Sequence, residues 1–433
     1  MPALQRRKIT FPFEAAQLPV IKNKVLEWIT IRSGTFLYLD SHGFADPYGR
    51  YEMLAATGAV QWLSDLNDLQ AHQAAGNGWC FGHLAYDFKN QLFEGLESRH
   101  PALAPAYEAV RFFVPETVLY INRDTSMLVL ETLLMQNEDD LLAEILQMPL
   151  TAGVSLPRLS FQRNQNKTAY LAALAQVQEH IRAGDCYELN YCSSAEALAP
   201  GLHPLQVYRA LRQKTPAPFS AFYGCRGAYM MGASPERFFA VRNHQLIAQP
   251  IKGTAARGRT ETEDEAAKES LLTSKKERAE NVMIVDLMRN DLARCCEPGT
   301  VRVAELFGIY TFPAVHQMIS TVTGKVLSGL SVAAMLKVLF PMGSMTGAPK
   351  KRVMELTDEL ETSRRGLYAG TVGYLSPDGD ADFNVVIRSL FYDAASGRLS
   401  YHSGGAITHQ SLPAQEWEEL LLKGKALEQL FAG

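Results

Sequence analysis

The chain has 433 residues, with 42 Lys+Arg against 46 Asp+Glu, a formal net charge of −4, and 47% hydrophobic residues. That composition supplies enough apolar surface to exclude a disordered chain, and the acidic balance excludes a general nucleic-acid binder, which needs a basic face. No apolar run reaches the roughly 20 residues of a membrane span, and the basic residues of the opening MPALQRRKITFPFE have no apolar run behind them, so they do not read as a secretory signal.

In chain order, Thr35–Asp40 and Met127–Thr132 read as strands, and residues 138–148 as a helix with apolar side chains at helical spacing. Residues 151–165 are polar and carry Pro157, which marks a connection. A boundary at 155/156 therefore separates an amino-terminal region (1–155), packed with the rest, from a second region (156–433). Lys167–Ala183 places Leu171, Leu174, Val177 and Ile181 on one helix face, with Gly184 as its C-cap. Residues 238–241 and 245–248 form a predicted hairpin. One long helix is expected from about 262 to 294. Strands are expected at 370–375, 383–391 and 399–402, and a last helix at 413–430 with Pro413 at its start. Strand groups and helix groups interleave without a βαβ rhythm, which predicts an α+β fold with antiparallel sheets. The six cysteines include no C-x-x-C pair and are too sparse for a disulfide scaffold, which predicts buried free thiols in a reducing cytosol.

Chemistry-bearing residues cluster in the second region. Glu277 and Glu280 are three apart in a helical stretch, and Glu416 and Glu419 repeat the spacing in the last helix. Like charges at that spacing repel, so each pair is either a solvated acidic face or half of a site for a hard divalent cation. Lys252 stands in Pro250-Ile-Lys-Gly-Thr254 at a strand end, where Gly253 permits close backbone approach. It is either a surface loop lysine or, if partly desolvated, a nucleophile. Glu236 in Ser234-Pro-Glu-Arg-Phe238 is either a turn residue paired with Arg237 or a general acid whose pKa burial raises. Two glycine-rich loops, 340–350 and Ser403-Gly-Gly-Ala406, offer backbone N–H groups to anions, the first at a helix start.

Taken together, SPERF, PIKGT, KERAENVMIVDLMRNDL, FPAVHQM, GSMTGAPK, YAGTVGYL, DFNVVIRSL, SGGAIT and EWEE occur in this order between residues 234 and 419. The series resembles the chorismate-utilising enzymes over roughly residues 160–433. That resemblance implies a large α+β chorismate-binding fold, with two packed antiparallel sheets flanked by helices, and makes 156–433 the catalytic domain. It implies Mg²⁺ held by Glu277, Glu280, Glu416 and Glu419, with Glu280 and Glu419 as direct ligands. Arg388, Tyr374 and the backbone of Gly404, Gly405 and Ala406 would meet the enolpyruvyl carboxylate. His316, Gly253 and Thr254 would lie beside the ring.

The lysine of PIKGT resembles the branch that forms 4-amino-4-deoxychorismate, in which Lys252 attacks the ring and Glu236 protonates the leaving hydroxyl. Anthranilate synthases, the runner-up, typically carry alanine there, and the alternative outside catalysis is a non-catalytic chorismate-binding subunit. The position at which hydrolytic relatives carry a water-activating lysine is Glu188. Two departures from the pattern are Ala406, which ends the glycine cluster with an added methyl, and Met342, where small residues are common. No tryptophan-binding motif stands out near the amino terminus. No glutaminase nucleophile turn is present, so ammonia is expected from a separate glutamine amidotransferase partner, and the release of pyruvate to give 4-aminobenzoate is expected to need another protein.

Overall fold

The computed structural model describes residues 6–76, 78–153, 155–313 and 315–432. The long strand Val110–Asn122 is the hinge of the architecture, because two runs of antiparallel strands leave it. One run passes through Tyr51–Leu63, Thr35–Asp40, Phe219–Cys225, Ala228–Ser234, Ser389–Asp393 and Arg398–Thr408 to Glu188–Leu198. The other passes through Cys80–Leu84, Thr371–Leu375, Ala381–Asn384, Arg237–Arg242 and Gln245–Gln249 to Val315–Lys325. Side chains from both runs, among them Leu54, Phe81, Tyr223, Met230, Phe239 and Phe383, share one buried core. Helices flank this pair of sheets, as expected of the α+β fold. Leu18–Arg32 and Pro204–Lys214 bury Trp28, Tyr208 and Leu211 on the outer face of the first run. Lys167–Ala183, Lys350–Leu360 and Pro413–Glu428 close the end at which strands Glu188–Leu198 and Arg398–Thr408 pair.

The predicted elements appear with instructive differences. Thr35–Asp40, Met127–Thr132 and Lys167–Ala183 form as read, and Gly184 caps the last at φ +84°. The single helix expected at 262–294 is two, Glu261–Thr273 and Lys275–Ala293. They are separated at Ser274, whose hydroxyl accepts from the Glu277 N–H at 3.3 Å, an N-cap that starts the second helix afresh. The strand expected at 383–391 is split into Ala381–Asn384 and Ser389–Asp393, and Arg388 sits in the break at φ +50°. Ser403-Gly-Gly-Ala406 is not a loop: it lies within the strand Arg398–Thr408, in continuous register with Glu188–Leu198. Residues on either side of 155 share sheets, since Thr35–Asp40 pairs with Phe219–Cys225 and Cys80–Leu84 pairs with Thr371–Leu375. Among the described residues no helix is long and apolar enough to cross a membrane, and all six cysteines are buried and free.

Candidate active site

A bulge aims Lys252. The strand Ile251–Ala256 meets Val315–Lys325 at Ile251↔Ile319 and again at Thr254↔Gln317, so one extra residue lies on the lysine side, which re-aims a side chain and breaks the ladder. Gly253 takes φ +98° there, and a Cβ on it would stand 3.1 Å from Glu277 Oε2 and from Leu271 Cδ1. Glycine therefore serves both the conformation and the close approach of the Glu277 helix. Lys252 Nζ donates to Glu188 Oε1 at 2.6 Å, with the two side chains 11% and 3% exposed. Burial pulls the lysine pKa down, but the Glu188 charge and hydrogen bond, with Glu280 and Glu236 behind them, outweigh it, and the net displacement is upward.

Glu236 occupies the turn between Ala228–Ser234 and Arg237–Arg242. Its N–H donates to Ser234 Oγ at 3.2 Å, and that hydroxyl donates to the Val385 carbonyl at 2.6 Å. Burial pushes its carboxyl up to about 7, against the opposing pull of the Ser344 hydroxyl, Lys252 and Arg388. Arg388 is itself drawn down by burial, with Glu236 opposing. Arg237 is not the partner of Glu236. One residue along a strand faces the other way, and Arg237 pairs instead with Asp46 at 2.6 Å and Asp382 at 2.9 Å.

The four glutamates arrive as two helix pairs. Glu277 and Glu280 stand on Lys275–Ala293, and Glu416 and Glu419 on Pro413–Glu428. Lys276 lies between the helices: it is 3.9 Å from Glu280, and its charge is felt by Glu280, Glu416 and Glu419. Burial raises the pKa of Glu280 and of Glu416, while Lys423, 2.7 Å from Glu419, carries that carboxyl downward against its own burial. Among the described residues no group of three or more His, Cys, Asp or Glu side chains is gathered closely enough to hold a metal ion.

The glycines join this cluster. A Cβ on Gly405 would come within 3.3 Å of Glu416 and 3.9 Å of Glu419. The Cys192 N–H donates to Glu361 and the Asn190 N–H to Thr346. By the alternation of an antiparallel ladder, Gly404 and Ala406, opposite them, turn their backbone groups away from the Glu188 strand. The Gly404 carbonyl accepts from Lys423 at 2.7 Å instead.

His316 is fully buried, with Nε2 2.9 Å from Asp264 Oδ1 and Nδ1 3.0 Å from Thr311 Oγ1. Thr254 is exposed, two residues along the strand from Lys252. Tyr374 is not in this neighbourhood. Its ring packs on Tyr51, Trp79 and Phe81, its hydroxyl accepts from Arg242 at 3.1 Å, and it lines a separate cleft with Asp46, Arg50 and Arg237. Beyond the residues expected from the sequence, the structure adds Ser344 at Glu236, Glu188 as the partner of Lys252, Asp264 at His316 and Lys423 at Glu419, and it places Lys276, a sequence neighbour of Glu277 and Glu280, among the glutamates. Only the lysines carried a local signal, each four residues after or before a glutamate on one helix face.

A family model described as chorismate binding enzyme matches residues 36–429. Aminodeoxychorismate synthase component 1 of Bacillus subtilis is 31% identical over 384 residues, 85% of this chain and 80% of the relative. The component 1 protein of Klebsiella aerogenes is 42% identical over 65% of this chain and 62% of its own length, and the aminodeoxychorismate synthase of Streptomyces griseus 36% identical over 82% and 50%. The chain spans between 31% and 62% of the length of the rice, Streptomyces griseus, Arabidopsis and Klebsiella relatives.

Among solved structures, anthranilate synthase component I of Streptococcus pneumoniae superposes with a TM-score of 0.77 at 26% identity, covering 89% of this chain and 93% of that one. The menaquinone-specific isochorismate synthase of Escherichia coli gives 0.77 at 18% identity over 99% and 95%, a likeness of fold alone. A match that begins in the first sheet run and ends in the last helix takes in the Lys252 bulge, the Glu236 turn and both glutamate helices, and the chain belongs to the family of chorismate binding enzymes.

Proposed function

We propose that the chain converts chorismate and ammonia to 4-amino-4-deoxychorismate, the activity in the names of the relatives it matches, with ammonia delivered by a separate glutamine amidotransferase in a reducing cytosol. The observation that carries the reading is Lys252, which stands at the Gly253 bulge with its side chain 11% exposed and with Glu236 and Glu280 close enough to act on its charge. Lys252 Nζ attacks ring carbon 2 as the carbon 4 hydroxyl departs, and Glu236, whose pKa of about 7 keeps a proton available near neutrality, protonates the leaving oxygen. Covalent catalysis of this kind divides one hard displacement into two. Arg388, buried beside Glu236, and the backbone of Gly404 and Ala406 on the strand edge turned from Glu188 receive a substrate carboxylate. His316, Gly253 and Thr254 flank the ring.

By chemistry the four glutamates suit Mg²⁺, a hard cation that takes carboxylate oxygens, although as they stand they are not gathered into a metal-binding cluster. Glu280 and Glu416 are half-buried carboxylates, and burial raises the pKa of each, a cost to their charged forms that a cation beside them would offset. Glu280 and Glu419 would hold the ion, backed by Glu277 and Glu416, and the ion would supply charge neutralisation for a chorismate carboxylate. Lys276 and Lys423 would then have to leave these glutamates.

The test is purified protein with chorismate, Mg²⁺ and excess ammonium, the products separated and weighed by mass spectrometry. Wild-type protein should yield a species of aminodeoxychorismate mass, and Lys252→Ala should lower that rate at least 1,000-fold. Fluorescent anthranilate as the product would move the protein to the tryptophan branch. Mg²⁺ at about 100 times its Kd should stabilise the wild-type fold against heat by about 2.7 kcal/mol, and Glu280→Gln should abolish that increment.

A further inference from the structure

Glu188 is not used in the chemistry above, yet it is the only hydrogen-bond partner of the Lys252 ammonium among the described residues. It is 2% exposed. One carboxylate oxygen holds Lys252 at 2.6 Å, while the other, Oε2, is buried and has no hydrogen-bond partner among the described residues. A buried carboxylate left half-satisfied is costly, and such groups concentrate where a proton or a ligand is to be received. Its strand is paired on both sides, against Thr408 and against Ala348, which fixes the backbone that carries the carboxyl beside the lysine.

We infer that Glu188 is the proton acceptor that converts the Lys252 ammonium into the attacking amine. The inference rests on the function proposed above. In the first step the Lys252 N–H bond breaks and its proton goes to Glu188, leaving a neutral amine beside a neutral carboxylic acid. Nζ then bonds to ring carbon 2, the ring double bonds shift, the carbon 4–oxygen bond breaks, and the Glu236 proton leaves with the hydroxyl as water. Ammonia next bonds to carbon 4, the double bonds shift back, and the carbon 2–Nζ bond breaks to release Lys252 as amine. The new carbon 4 ammonium returns a proton to Glu236, and Glu188 returns its proton to Lys252. Chorismate plus ammonia has become 4-amino-4-deoxychorismate plus water, with every side chain restored.

The other charged groups facing Lys252 are Glu280, Glu236 and, at longer range, Glu419. None of these has a hydrogen bond to Nζ. Glu236 is assigned to the leaving oxygen, and the other two to the cation. The net upward displacement of the Lys252 pKa agrees with a resting ammonium that needs an acceptor.

The test has an arm independent of turnover. Wild-type protein is exposed to trinitrobenzenesulfonate over a range of pH, and labelling of Lys252 is followed by peptide mass spectrometry. Half-labelling is expected above pH 10.4, the value of an ordinary lysine. Half-labelling well below it would mean a lysine already neutral at rest and would overturn the inference. In Glu188→Gln, which keeps an oxygen to accept from Nζ but takes up no proton, half-labelling should fall by at least one pH unit.

The same variant should lose about 100-fold or more in kcat at neutral pH, hold the KM for chorismate within about threefold, and regain rate as pH rises. Glu188→Asp should restore at least a tenth of the wild-type rate with the wild-type pH profile. A Glu188→Gln enzyme with kcat within twofold and an unchanged profile would show a merely structural carboxylate. If wild type forms no aminodeoxychorismate, the functional reading fails by itself, and the labelling still decides what Glu188 does to Lys252.

Discussion

Glu236 shows what one buried carboxyl does for activity and against stability. Its folded pKa of about 7 lies above the ordinary 4.5, so the folded state holds the proton more tightly than the unfolded chain. That contribution is complete below about pH 4.5 and is lost as pH rises through 7. The displacement from 4.5 to about 7 corresponds to roughly 3 kcal/mol. Glu236→Gln, which never ionises, should therefore unfold like wild type near pH 4.5 and be up to about 3 kcal/mol more stable at pH 8, read by denaturant titration at the two pH values. The same variant should lose about 100-fold or more in kcat, because the leaving hydroxyl has no proton donor. For the same reason the wild-type kcat should fall as pH rises past 7. A buried, functional carboxyl that costs stability is a common trade. At this scale the residue types were legible in the sequence, whereas their partners were not. Glu236 beside Arg237 looks like an ion pair on paper, and strand alternation sends the two side chains to opposite faces.

The elements that carry the site are braced by a buried ion pair which the sequence gives no reason to single out. Arg365 and Glu361 pair at 2.6 Å and are 1% and 6% exposed. Arg365 also donates to the Met345 carbonyl at 2.7 Å and the Asn190 carbonyl at 2.8 Å, and Asn190 Nδ2 donates to the Ser344 carbonyl at 2.7 Å. The turn Gly343–Met345 is thus held to the Glu188 strand, and it presents Ser344 to Glu236. Arg365→Met leaves Glu361 as an unpaired buried charge, and should cost about 3–5 kcal/mol in unfolding free energy. Folded at low temperature, this variant should also show a wild-type KM for chorismate with a reduced kcat, since what moves is the hydroxyl at the proton donor.

At the scale of the whole molecule, the chain is interleaved. The strands of residues 1–155 complete both sheet runs, and Phe81, Phe112 and Phe113 share a core with Phe238, Phe239 and Phe383. A fragment of residues 156–433 would expose the edges of Phe219–Cys225 and Thr371–Leu375 and half of that core, and unpaired edges of this kind aggregate. Expressed alone, the fragment should fail to give a cooperative unfolding transition by circular dichroism, while the full chain gives a single one. Two transitions in the full chain, or a folded fragment, would contradict the interleaving. The composition-based reading admitted either several domains or one interleaved body, and nothing in the local sequence decides between them, because strand pairing across more than 150 residues leaves no periodic trace.

By itself the sequence determined the antiparallel α+β class, most element positions, and the inventory of chemical groups: the PIKGT lysine, the SPERF glutamate and the two glutamate pairs at helical spacing. Those properties are set by local periodicity and by side-chain chemistry, which a sequence carries directly. Only the tertiary structure decided that Ser274 breaks a long helix, that Gly404 and Gly405 lie in a strand with Gly405 beside Glu416, that Tyr374 belongs to another cleft, and that Lys252 rests on Glu188. Each of these depends on which of two faces a side chain takes, or on which distant element packs against it. A one-residue bulge or a split strand reverses such a choice without altering the pattern of residue types.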